Sequence, residues 1–140
     1  MRTRSKVRHF DPKGAGPAQG LYSHVGVAPK DAQLYMIAGQ LAVDMKGNVV
    51  GRHDFDAQFH QVHANLKSVL GGLGLTPNHI VKFTTYLVHS QDIENFMRCR
   101  AKLFPKYFGR RIYPPNTLLI VDRLVKEDFL IEVEATASSL

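Results

Sequence analysis

The C-terminal run Ile131-Glu132-Val133-Glu134-Ala135 alternates apolar and acidic residues. In a strand that alternation puts both carboxylates on one face and the apolar side chains on the other. A carboxylate on a covered face loses water, and its pKa rises when the charged form is desolvated. Such a group suits a general acid or base, or a carboxylate that positions a water molecule. The same pair also suits an ion pair with an arginine of another subunit, and both readings stand at this level.

Other residues suggest chemistry less specifically. Seven histidines raise a metal site. His60 and His63 are three apart, but no glutamate stands between them in the HExxH arrangement, so no metal is expected. The single cysteine, Cys99, excludes an internal disulfide and a cysteine-based zinc cluster, and it reads as a packing residue. There is no GxSxG elbow, GxGxxG fingerprint or P-loop. Gly71-Gly72-Leu73-Gly74 follows a helix rather than a strand, so it is not a phosphate cradle. No cofactor is expected.

The net charge of +6 is unevenly spread over the 140 residues. Arg2, Arg4, Lys6 and Arg8 form one acid-free cluster, and Arg98, Arg100, Lys102, Lys106, Arg110 and Arg111 form a second. The remaining eight bases face twelve acids, which makes a mildly acidic body with two basic patches. A basic patch attracts anions of any kind. Phe104, Tyr107 and Phe108 within the second patch could be a nucleic-acid stacking surface, but they follow the apolar stripe of a helix and are assigned to the core. A nucleic-acid partner is therefore not favoured. No apolar run approaches the about 18 residues of a membrane span. MRTRSKVR lacks the apolar stretch of a secretory signal, so residues 1–6 read as a flexible basic tail on a cytoplasmic protein.

The elements that must position these groups follow from periodicity. Phe55, Phe59, Val62, Leu66, Val69 or Leu70, and Leu73 mark one helix, capped by Asp54 and ended by Gly71, Gly72 and Gly74. Thr76-Pro77 begins a single turn. Ile93, Phe96, Met97, Arg100, Leu103 or Phe104, and Tyr107 mark a second helix, started by Ser90 and Asp92 and ended by Gly109. Strands are expected at 7–10, Tyr22 to Val27, Gln33 to Ala38, Leu41 to Asp44, Ile80 to Val88, Thr117 to Val121 and Phe129 to Ala137. Met45-Lys46-Gly47-Asn48 is a hairpin turn, and Tyr113-Pro114-Pro115-Asn116 a rigid connector. Residues 1–140 read as one domain.

Strand–helix–strand units place both helices on one face of one sheet. The strands at 80–88 and 117–121 nevertheless carry apolar side chains on both faces. The second face needs a cover, and in a chain this short another subunit is the available one, so a homo-oligomer is expected.

Several short motifs occur together in one order: Gly20-Leu21-Tyr22, Ala38-Gly39-Gln40, Gly72-Leu73-Gly74-Leu75, Ile80-Val81-Lys82-Phe83-Thr84-Thr85, Asn95-Phe96, Tyr113-Pro114, Arg123-Leu124 and Ile131-Glu132-Val133-Glu134-Ala135. With this order and spacing, residues 7 to 137 resemble the Rid family (reactive intermediate deaminases, also called L-PSP endoribonuclease-like proteins). The resemblance implies an α+β, chorismate-mutase-like single mixed sheet with two helices on one face. It also implies a homotrimer with small-molecule pockets between subunits. In the deaminating branch an arginine grips the carboxylate of an imine or enamine such as 2-aminoacrylate, and a glutamate on the last strand helps water attack. By position the glutamate is Glu132 and a pocket tyrosine is Tyr22. A pocket serine is replaced by Ala38, next to Gly39, and the arginine by Asn116.

Asn116 offers a neutral amide in place of a bidentate, charge-assisted pair, a loss on the order of 1–2 kcal/mol. Either the substrate lacks the carboxylate, or another base such as Arg123 or Arg111 supplies the grip. Three readings follow from the resemblance: a hydrolase of imine or enamine metabolites with Glu132 orienting water, a non-catalytic ligand-binding trimer, and a ribonuclease or RNA-binding protein.

Overall fold

In the computed structural model, which describes residues 6–140, the stripe beginning at Phe55 forms helix α1 (Phe55–Gly72). The Asp54 carboxylate accepts the Ala57 backbone N–H at 3.1 Å, pairing one of the donors that a first helical turn leaves free. Phe59, Val62, Leu66 and Leu70 are fully buried while Val69 and Leu73 are exposed, so the stripe runs through Leu70. Gly74, at φ 73°, takes the left-handed conformation that ends the glycine-rich tail of the helix. The second stripe forms α2 (Asp92–Phe108), closed by Gly109 at φ 66°. Thr76 and Pro77 begin a single 3₁₀ turn, as their spacing predicts.

Six strands accompany the helices: β1 (Arg8–Phe10), β2 (Val25–Val27), β3 (Leu34–Gln40), β4 (Ile80–Leu87), β5 (Asn116–Ile120) and β6 (Ile131–Ser138). The main sheet is mixed, in the order β3-β6-β4-β5, with β4 and β5 parallel and the other pairs antiparallel. β1 and β2 pair antiparallel as a separate ribbon. Helix α1 packs against β3, β6 and α2.

The structure differs from the expectation in four places, each for a local reason. The strand expected over Tyr22 to Val27 shortens to Val25–Val27. The Tyr22 N–H turns back to Gly20 O at 3.0 Å, and the Ser23 N–H goes to Tyr113 O at 3.1 Å, so neither donor is left for a ladder. Leu41 to Asp44 supplies only an isolated bridge, Val43 to Val49, at the mouth of the expected turn with Gly47 at φ 82°. β3 extends through Gly39 and Gln40, with a register shift between Ile37 and Gln40. The last strand begins at Ile131 because Phe129 closes a turn, its N–H bonded to Lys126 O at 3.1 Å.

β4 also corrects the expectation of two apolar faces. Phe83, Thr85 and Leu87 are buried beneath the helices, but a register shift between Ile80 and Lys82 leaves Lys82, Thr84 and Tyr86 on the outer face. That face is mixed: Leu34, Met36 and Leu119 are exposed on it beside Glu132, Glu134 and Thr136. Apart from Lys6, which is exposed, the basic tail expected over residues 1–6 lies outside the described residues. Among the described residues no helix is long and apolar enough to cross a membrane.

Candidate functional site

The two carboxylates of β6 stand on the open face, as their alternation predicts. Glu132 lies opposite Tyr86 and Glu134 opposite Thr84. The Tyr86 hydroxyl donates to Glu134 Oε1, and this bond is the main reason that the Tyr86 pKa is raised. Glu132 has a different setting. It lies against Gly39, where a Cβ would collide with its carboxylate, and the irregular stretch of β3 between Ile37 and Gln40 brings Gly39 there. Burial first, and the Glu134 charge second, hold the Glu132 carboxyl above the usual range. One glutamate of the pair is thus engaged, and the other has a weakened hold on its charged form.

Tyr22 and Asn116 meet elsewhere, along a cleft of about 770 Å³ that also touches His24, Lys82, Thr117 and Thr136. The Thr85 hydroxyl donates to Asn116 Oδ1 at 2.8 Å, which leaves the amide hydrogens of Asn116 as donors. The Tyr22 hydroxyl accepts the Gln19 N–H at 3.0 Å, and its ring meets His24 edge-on at 5.9 Å. Lys82, a cation on this cleft, was not singled out from the sequence. The available signal was its position as the one charge within Ile80-Val81-Lys82-Phe83-Thr84-Thr85-Tyr86-Leu87.

The structure does not gather all the expected site residues within one protomer. Glu132 and Gly39 lie together with Ala38 on the open face, and none of the three lines the Tyr22–Asn116 cleft. Arg123 borders a separate hollow of about 430 Å³, held 3.2 Å from Leu124 O and 3.6 Å from Glu127. Arg111 shares a third hollow with Tyr22, Asp11 and Gly20.

The remaining candidates resolve into packing. His60 points outward and His63 is buried, so the two do not form a pair on one surface. His63 Nδ1 sits 2.7 Å from Phe59 O, and burial pushes its pKa down to about 4. Cys99 is buried and its thiol is pushed up to about 11, chiefly by burial, so it is a weak nucleophile. The second basic patch is smaller than its sequence suggests. Arg98 pairs with Asp56 at 2.8 and 2.9 Å, Arg100 is buried, and Phe104, Tyr107 and Phe108 pack against one another, Phe108 meeting the other two rings edge-on.

A two-helix layer on a mixed α+β sheet is an architecture that this chain shares with many solved structures. The family model described as Endoribonuclease L-PSP matches residues 14–139. A RutC family protein of Pyrococcus horikoshii is 35% identical over 126 residues, covering 90% of this chain and 90% of its own. The structure of YyfB from Yersinia pestis, a Rid family protein of unknown function, superposes with a TM-score of 0.83 at 33% identity, over 95% of this chain and 98% of that one. The YjgF gene product of E. coli superposes at 0.67 with 27% identity, over 93% and 97% of the two chains. The chain belongs to the Endoribonuclease L-PSP family, that of the Rid and YjgF proteins.

Proposed function

We propose that the protein is a cytoplasmic Rid-type hydrolase of imine or enamine metabolites, working as a homotrimer with its pockets at the seams between copies. The observation that carries this reading is the Glu132 carboxyl, half-buried over Gly39 with a raised pKa on a sheet face that the helices leave open. In one protomer Glu132 and the Tyr22–Asn116 cleft are separate surfaces, and a neighbouring copy laid on the open face supplies the second wall. Glu132 then takes a proton from a water molecule as its oxygen bonds to the imine carbon. The π pair takes a proton to give a carbinolamine, an enamine having first tautomerised to the imine. The amine nitrogen then receives the proton held by Glu132, the C–N bond breaks to release ammonia, and the hydroxyl yields its proton to solvent as the carbonyl forms. Tyr22, Asn116 and Lys82 shape the cleft that holds the substrate.

A second reading, a trimer that binds ligand without catalysis, is favoured by Ala38, which brings no hydroxyl, and by Asn116, whose Oδ1 is already occupied by Thr85. Ammonia release from freshly generated 2-aminoacrylate or 2-iminopropionate separates the two. The hydrolase reading expects acceleration by the native protein, lost in Glu132→Gln while the fold is retained. No acceleration by either the native protein or Asn116→Arg would leave the binding reading.

A further inference from the structure

A hollow of about 340 Å³ lies where Lys6 and Val7 meet the end of α2 and the 3₁₀ turn before β4. Lys6, His79 and Arg110 line it together with Val7, Phe108 and Leu140, and it shares no residue with the Tyr22–Asn116 cleft. The hollows that hold Arg111 and Arg123 also hold acids, Asp11 in the first and Asp122 and Glu127 in the second. This one has no acidic side chain on its wall. Among the described residues no carboxylate pairs with Lys6 or Arg110.

Neighbours hold the donors in place. Arg110 Nη2 donates to His9 Nδ1 at 3.0 Å, and His9 Nε2 donates to Ile80 O at 2.8 Å. A neutral imidazole therefore fixes the guanidinium without neutralising it. Arg110 Nε is buried with no partner, a cost that an incoming acceptor would relieve. His79 Nδ1 accepts the Thr76 backbone N–H at 3.0 Å, which puts the proton of the neutral ring on Nε2, as a donor. The end of α2 has partners of its own: Asn78 donates to Phe108 O at 2.9 Å, and Lys106 stands in the last turn. The rest of the wall is apolar, with Val7 and Phe108 buried and Leu140 51% exposed. Two cations without an acid match a dianion, and a carboxylate would answer only one of them.

We propose that this hollow is a second binding site, for a phosphomonoester with an apolar organic part. The phosphate meets Arg110, His79 and Lys6, and the organic part lies against Val7, Phe108 and Leu140.

Calorimetric titration with phenyl phosphate, inorganic phosphate and benzoate tests the assignment. The native protein is expected to bind phenyl phosphate at least about tenfold more tightly than either of the others, since each lacks the apolar group or the second charge. Arg110→Gln should weaken phenyl phosphate by at least about tenfold, and Lys106→Gln, the same loss of charge outside the hollow, by less than about twofold. The native protein alone gives a second readout should Arg110→Gln not fold. Nuclear Overhauser contacts are expected between the phenyl protons and the methyl groups of Val7 and Leu140. Benzoate or inorganic phosphate binding as tightly as phenyl phosphate overturns the proposal, and so does an equal loss in Lys106→Gln. A folded Arg110→Gln that binds phenyl phosphate unchanged also overturns it, leaving Arg110 to serve the end of α2. Bound phenyl phosphate without contacts to Val7 or Leu140, or no binding at all, has the same consequence.

Discussion

The two faces of the sheet are built from the same strands and obey different rules. On the covered face Phe83, Leu87, Ile131 and Val133 are buried in one cluster with Phe59, Leu66 and Phe104, and several buried polar side chains find backbone partners there. Gln58, for example, donates to Asp128 O at 2.8 Å and accepts the Leu130 N–H at 2.8 Å. On the open face, Glu132 and Glu134 stand beside Met36, which is 73% exposed, and Tyr86 donates to one acid of the pair. The covered face is optimised for close packing, where each lost contact is costly. The open face combines charge and apolar area without resolving either within one protomer, which is the character of a surface completed from outside.

That contrast can be tested, beginning with the largest effect. Phe59→Ala removes a fully buried ring that contacts His63 and Phe96, and should cost about 3–5 kcal/mol in denaturant unfolding. A loss within 1 kcal/mol would mean that the covered face is not the core. Next is acid. The unfolded chain protonates His63 near 6.5, while the folded chain resists until about 4. Stability therefore falls as pH drops through that window, by on the order of 3 kcal/mol, and the slope should flatten in His63→Phe.

Gly39→Ala should cost about 1–3 kcal/mol because its new Cβ meets the Glu132 carboxylate. Most of that cost should disappear when Glu132→Ala is added, and a double-mutant cycle that gives simple additivity would show that the two do not interact. The smallest effect on protomer stability is expected from Met36→Lys, within about 0.5 kcal/mol. Its consequence should appear in light scattering, as dissociation of the proposed trimer. An unchanged mass would place the seam elsewhere.

Much of this was legible beforehand, and the reasons differ by element. The α1 stripe, Asp54, the turn around Gly47 and the Glu132–Glu134 alternation were readable because each depends on neighbours within one turn or one pleat. The Tyr22 to Val27 strand was misread because the competing bonds come from Gly20 and from Tyr113, and the second is far away in sequence. Lys82 on the cleft was missed because a register shift between Ile80 and Lys82 decides which way β4 presents its side chains. Arg100 was readable as part of the helical stripe, and its charge suggested the surface. Neither clue predicts a guanidinium enclosed by Phe96, Phe104 and a glycine eighty residues earlier.

The sequence by itself determined the two helices, the class of the sheet and the family, because local periodicity and a run of ordered motifs are one-dimensional quantities. Only the tertiary structure decided which carboxylate is partly desolvated, which cation faces the cleft and which is buried. Those properties depend on distances between residues far apart in the chain, where a one-residue shift in register or a missing Cβ changes the neighbour that a charge meets.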